Sequence, residues 1–239
     1  MSERKVAVVL GVGPGLGAAA ARRFAREGFA LGLMARGQDK LTPIQTAIEK
    51  AGGTALSIPT DATDPASVAA AFKLVRDRLG APAEVLVYNA GAFQLGGILD
   101  VTPEQFEYCW KANCYGGFLA ARQVLPDMVK RGRGTILLTG ATAALRGSAR
   151  FACLAVGKFG LRALAQSLAR EFGPQGIHAA HVIIDGQIDG PRPRATAPDR
   201  ARRTMLSPEA IAETYWQLHA QDATAWTLEL DVRPAVEKF

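Results

Sequence analysis

The chain has 239 residues, 49% of them apolar and 21% charged, with a net charge of +6. That balance supplies a large core and excludes a disordered chain. No apolar run reaches the ~18–20 residues that a bilayer span requires. Met1-Ser2-Glu3-Arg4-Lys5 leads straight into an apolar strand with no signal-peptide pattern, so a cytoplasmic protein is expected. Cys109, Cys114 and Cys153 form no CxxC, and His178 and His181 fall in a strand pattern. Neither a disulfide framework nor a metal site is therefore expected. The basic residues are spread along helices, except for a cluster at Arg192, Arg194, Arg200, Arg202 and Arg203. Without aromatic interleaving or a DNA-binding motif, that points away from nucleic acid and toward a phosphorylated cofactor or an acidic substrate.

In chain order, short apolar runs alternate with helical patterns. The runs are Val6–Leu10, Ala30–Met34, Ala55–Ile58, Val85–Val87, Ile136–Leu138 and Ile177–Ile184. They are nearly continuous in Val, Ile, Leu and Ala, as suits parallel strands buried on both faces. Helical spacing marks Gly15–Glu27, Leu41–Ala51, Pro65–Leu79, Pro103–Lys130, Gly157–Phe172 and Pro208–Gln221. Trp226–Val232 alternates and can add an edge strand. Strand-then-helix repetition predicts one α/β domain over 1–239. Its doubly wound, mostly parallel Rossmann sheet would have about seven strands, with helices on both faces. Gly186–Leu206 breaks the rhythm, being rich in Pro, Arg and Gly with no apolar period. It is expected to be either a surface loop or a lid over a site at the carboxyl ends of the strands.

The first strand runs into Gly11-Val12-Gly13-Pro14-Gly15-Leu16-Gly17. Glycines there allow a tight turn and close approach to a pyrophosphate, which the next helix's N–H groups and dipole would hold. A GxGxxG reading fails at Leu16, whereas GxxxGxG fits through Gly11, Gly15 and Gly17. The second strand ends in Ala35-Arg36, where NAD-preferring folds commonly place an acid for the ribose 2′-OH. Arg36 suits a 2′-phosphate, so NADP(H) is favoured over NAD(H).

These motifs resemble the short-chain dehydrogenase/reductase family, whose glycine loop reads TGxxxGxG; Leu10 stands at the threonine. Asp61-Ala62 lies where that family reads adenine, and Asn89-Ala90-Gly91 matches its NNAG, with Tyr88 for the first Asn. Asn113 matches its catalytic Asn, Lys158 the Lys of YxxxK, and Asp185-Gly186 the Pro-Gly beside the nicotinamide, with Ile188 just beyond. The resemblance implies hydride exchange between a nicotinamide cofactor and a small molecule, in a homodimer or homotetramer paired through the long helices.

Two catalytic positions depart from the family. Leu154 stands where YxxxK has its Tyr, and Ala141 stands at the serine spacing. Leucine donates no proton and alanine polarises no carbonyl. Thr142 and Asp185 are the candidate stand-ins, with Thr139 and Tyr115 weaker. Asp185 would serve if partial desolvation raised its pKa, and the alternative is a turn-forming Asp. Lys158 would hold the cofactor ribose or present its own ammonium. The expected function is an NADP(H)-dependent oxidoreductase with non-standard proton transfer, acting on a carbonyl or an activated C=C or C=N bond. The alternatives are an NADP(H)-binding regulator, or a redox-neutral isomerase or hydratase reusing the pocket.

Overall fold

The computed structural model describes residues 4–196, 199 and 201–237. Of the sequence's basic cluster, Arg200 and the side chains of Arg192 and Arg202 lie outside the described residues. Seven strands form one sheet in the order β3-β2-β1-β4-β5-β6-β7. They are β1 (Val6–Leu10), β2 (Ala30–Ala35), β3 (Thr54–Pro59), β4 (Val85–Tyr88), β5 (Gly134–Thr139), β6 (Ile177–Ile184) and β7 (Glu229–Val232). Every pairing is parallel. β1, β4, β5 and β6 are buried at every position, which is why their sequences run apolar without alternation.

Two cores lie on the two faces. One packs Val8, Leu86 and Leu138 against α3 (Pro65–Leu79), α5 (Gly116–Arg131) and α6 (Ala152–Phe172). The other packs Val9, Leu31 and Val87 against α1 (Leu16–Arg26), α2 (Gln38–Lys50) and α8 (Pro208–His219). No helix among the described residues is long and apolar enough to cross a membrane.

The structure corrects three boundaries. The helix expected over Pro103–Lys130 is α4 (Pro103–Trp110), a π-helical stretch over Lys111–Tyr115, and then α5. The cause is Asn113, whose Nδ2 donates to the Cys109 carbonyl at 2.9 Å and so occupies a ladder acceptor. Tyr88 contributes from below by donating its hydroxyl to the Ala112 carbonyl at 2.6 Å. Helix α6 begins at Ala152, ahead of the expected Gly157. Finally, the 186–206 stretch holds a short helix, α7 (Pro191–Thr196), and a 3-10 turn, Arg202–Thr204. Pro191 starts α7 at the helical position that tolerates a missing N–H. Ile188 bridges to Leu206, and the buried Met205 and Leu206 tie the stretch's end to the body.

Candidate active site

The glycine loop is built by contacts that only glycine permits. Gly11 has φ +104°, and a Cβ there would lie 2.2 Å from the Ala90 nitrogen. A Cβ on Gly17 would lie 2.5 Å from the Gly11 carbonyl oxygen, so α1 starts hard against the strand end. Asn89 staples the loop to β4 by donating Nδ2 to the Gly11 carbonyl at 2.8 Å. Gly13 and Gly15 differ: a Cβ on either would meet nothing within 4 Å. They face open space at a helix start that no side chain caps, which fits a pyrophosphate resting on free N–H groups.

This asymmetry predicts a clean separation of effects. Gly13→Val should leave the melting temperature within about 2 °C of wild type, because its Cβ enters open space. It should abolish NADPH binding in a fluorescence titration. Retained binding would show that the loop is not the phosphate seat.

Around the loop, one cleft follows the carboxyl ends of the strands. Gly11, Gly13, Pro14, Arg36, Asp61, Ala62, Asn89, Ala90 and Gly91 line its outer part. Gly15, Leu16, Gly17, Asn89 and Ile188 line its middle. Its inner part is a cavity of about 730 Å³ reached past Gln187, Ile188 and Pro193, with Gly186 in its wall. Gly186 adopts φ +142°, and a Cβ there would press Leu206 at 3.0 Å.

At the outer end, Arg36 is exposed and donates to the Tyr108 hydroxyl at 2.5 Å, with its guanidinium 5.9 Å from that ring's centroid. Lys40 lines the same part of the cleft. Asp61 accepts from both the nitrogen (2.8 Å) and the hydroxyl (2.7 Å) of Thr63, which holds its carboxylate in a tight turn.

Lys158 and Asn113 meet beneath Gly91. Lys158 is buried, and its Nζ donates to the Thr139 carbonyl at 2.6 Å. Burial pulls its pKa down to about 8. Asn113 spends both Nδ2 hydrogens, on the carbonyls of Ala92 (2.7 Å) and Cys109, while its buried Oδ1 has no partner among the described residues. A Cβ on Gly91 would lie 2.8 Å from that Oδ1 and 3.9 Å from Lys158 Nζ. An orphaned acceptor and a buried cation aimed at one glycine of the cleft fit a polar ligand group lying there.

The altered positions line the inner cavity, where Leu154 and Ala141 both stand. Thr142 lines it too, but its hydroxyl donates to Asp185 Oδ1 at 2.5 Å. Asp185 is not among the cavity's lining residues, and its Oδ2 lies 3.5 Å from Arg233 Nη1. Asp185, the candidate stand-in, is thus a carboxylate that accepts from Thr142 and lies beside Arg233. Thr139 is tied to the Tyr215 hydroxyl at 2.8 Å, and Tyr115 stacks between Trp110 and Phe118.

Sequence reasoning missed Lys40 and Tyr108 at the outer end, and Phe93, Arg146, Ser148 and Gln187 around the inner cavity. All but Tyr108 and Lys40 lie outside regular elements, so no periodicity marks them. Those two sit on helices whose opposite faces carry the apolar signal.

The short chain dehydrogenase family profile matches residues 5–201. A short-chain dehydrogenase/reductase of Armillaria gallica is 33% identical over 194 residues, covering 80% of this chain and 74% of that protein. The solved short-chain dehydrogenase of Rhodopseudomonas palustris superposes with a TM-score of 0.83 at 39% identity, covering 97% of this chain and 99% of that one. A metagenomic short-chain oxidoreductase solved in complex with NADP superposes with a TM-score of 0.83 at 28% identity, covering 98% of each chain. With the glycine loop, the Asn113–Lys158 pair and the parallel sheet in place, the chain belongs to the short-chain dehydrogenase family.

Proposed function

We propose that this protein is an NADP(H)-dependent oxidoreductase that works without the family's hydroxyl acid. The observation that carries this reading is a cleft along the glycine loop, Arg36 and Asn89 that runs on to a cavity lined by Leu154 and Ala141, the positions where the resemblance expects the proton donor and the carbonyl polariser. A bound nicotinamide dinucleotide supplies the hydride. The chain's own residues orient it. Gly13 and Gly15 leave room for the pyrophosphate, Arg36 and Lys40 flank the ribose end with positive charge, and Lys158 offers its ammonium beneath Gly91. Gln187, Ile188 and Pro193, from the stretch that we read as a lid, line both the middle of the cleft and the inner cavity. Exposed Phe106, Trp110, Phe118 and Phe159 on α4, α5 and α6 suit pairing with a second copy.

What the cavity lacks selects the substrate. Thr142's proton is committed to Asp185, and that carboxylate faces Arg233, so neither is a ready acid. Positioned acids contribute about 10²–10⁴-fold to such reactions. Substrates that need little help from an acid are therefore favoured: quinones, iminium ions and conjugated enones, with simple ketones reduced slowly.

The test follows NADPH absorbance with purified protein across ketone, enone, iminium and quinone substrates. Oxidation with the activated substrates, well above that with ketones, is expected. Tight NADPH binding with no oxidation anywhere would replace this reading with a binding protein or a redox-neutral enzyme. The cofactor preference is tested by Arg36→Ala, which removes a charge-assisted contact worth about 1.5–3 kcal/mol. The Kd for NADPH should rise at least about tenfold, and that for NADH should stay within about twofold. Equal changes for both would mean that Arg36 does not face a 2′-phosphate.

A further inference from the structure

Among the described residues, the inner cavity carries one cation, Arg146, and no carboxylate. Most arginines placed near this end of the sheet are neutralised: Arg162 by Glu229 (2.7 Å), Arg194 by Asp189 (2.7 Å) and Arg233 by Asp185 and Asp231. Arg146 forms no ion pair and no side-chain hydrogen bond among the described residues. Ser148, two residues on, also lines the cavity with a hydroxyl that no described residue engages.

The turn that presents both is held in place. Arg146 N–H donates to the Thr142 carbonyl at 3.3 Å, and Phe151 N–H to the Ser148 carbonyl at 3.1 Å. Arg150 adopts φ +68°, the one positive φ among the described non-glycine residues, and its carbonyl accepts from Gly96 N–H at 3.1 Å. A non-glycine residue in that region is strained, and such strain persists only where the surroundings fix it. The turn is therefore pinned to the 92–97 segment. Across the cavity, Phe93 and Phe151 pack with ring centroids 5.6 Å apart, and Leu154 and Ile188 extend the apolar wall.

We infer that the cavity takes a substrate with an apolar body and one carboxylate, the carboxylate resting on Arg146 and Ser148. The assignment of the reacting end to this cavity rests on the oxidoreductase reading above; the anion seat does not. A single guanidinium and one hydroxyl match one negative charge and the two oxygens of a carboxylate. A phosphate dianion would call for a second cation, and the described residues of the lining hold none. The body of the ligand would cover an otherwise exposed guanidinium, lowering the local dielectric and strengthening the pair over an open surface contact.

The experiment measures equilibrium binding, without turnover, of octanoate and its uncharged analogue octanamide to the full chain in the presence of NADP⁺. Wild type, Arg146→Gln and Ser148→Ala are compared, all at pH 7.5. Both side chains are exposed, so neither change threatens the fold. Octanoate should bind wild type at least tenfold more tightly than octanamide. Arg146→Gln should erase that preference while leaving octanamide unchanged, and Ser148→Ala should reduce it in part. Equal binding of the two probes, no detectable octanoate binding, or a preference that survives Arg146→Gln would overturn the assignment. Octanoate discrimination without NADPH oxidation by any substrate would instead sink the oxidoreductase reading and leave the anion seat standing.

Discussion

Restoring the two missing hydroxyls should turn this protein into a ketone reductase. Leu154 lies one helical turn before Lys158 on α6, half-buried, with its side chain in the wall of the inner cavity. A tyrosine there can extend into about 730 Å³ of open space without entering the packed core. Its phenol would lie near the Lys158 ammonium, which favours the phenolate and brings its pKa toward the working range. Ala141 has extended backbone, φ −160° and ψ 168°, and also faces the cavity, so a serine adds one oxygen where nothing must move. The double variant Leu154→Tyr/Ala141→Ser should raise kcat/KM for a simple ketone by about 100-fold at pH 7, within the usual range for a positioned acid. NADPH affinity should change little. Adding Lys158→Met should remove most of the gain, and a double-mutant cycle would measure that coupling. A folded, NADPH-binding double variant with no gain would mean that substrate oxygen does not sit between positions 141 and 154.

The same residues show what the sequence could and could not disclose. The sheet was legible because β1, β4, β5 and β6 are buried on both faces and so read as unbroken apolar runs. The dinucleotide loop was legible because glycine spacing is a steric requirement at Gly11 and Gly17. The family resemblance singled out Lys158 and Asn113; their convergence beneath Gly91 needed the fold. Asp185 shows the limit. Its place in the sequence left open a carboxyl facing the ligand or a turn-forming Asp, and neither reading contained its partner Arg233, 48 residues later and just past the edge strand. Periodicity carries no record of such a partner. The same holds for Arg146, Ser148 and Phe93, which reach the cavity from turns. The π-helical stretch was also hidden, because Asn113 disrupts the ladder through its side chain while the apolar spacing continues across it.

Acid should unfold this protein through its histidines, and His181 above all. His181 is fully buried in β6, and neither ring nitrogen has a hydrogen-bond partner among the described residues. Burial lowers its pKa to about 4; Glu229 acts against that shift, while Lys158 and Arg162 reinforce it. His219 is lowered to about 4, first by burial and then by Lys5 and His178, and His178 is lowered chiefly by burial. An unfolded imidazole titrates near ~6.5. Between that value and about 4, the unfolded chain holds protons that the folded chain excludes. Stability is therefore fully present above pH ~6.5 and falls progressively as the pH drops toward 4. His181 alone contributes a loss on the order of 2–3 kcal/mol, and His219, which shares a hydrogen bond with Thr135 and is partly exposed, contributes less. His181→Met should blunt this dependence, because an apolar side chain in that slot leaves no nitrogen to desolvate or protonate. Melting curves at pH 8 and pH 5 give the readout. At pH 5 the variant should melt about 4–8 °C above wild type, with a clearly smaller difference at pH 8. If both proteins lose stability in parallel on acidification, the proton uptake that unfolds the chain lies elsewhere than at His181.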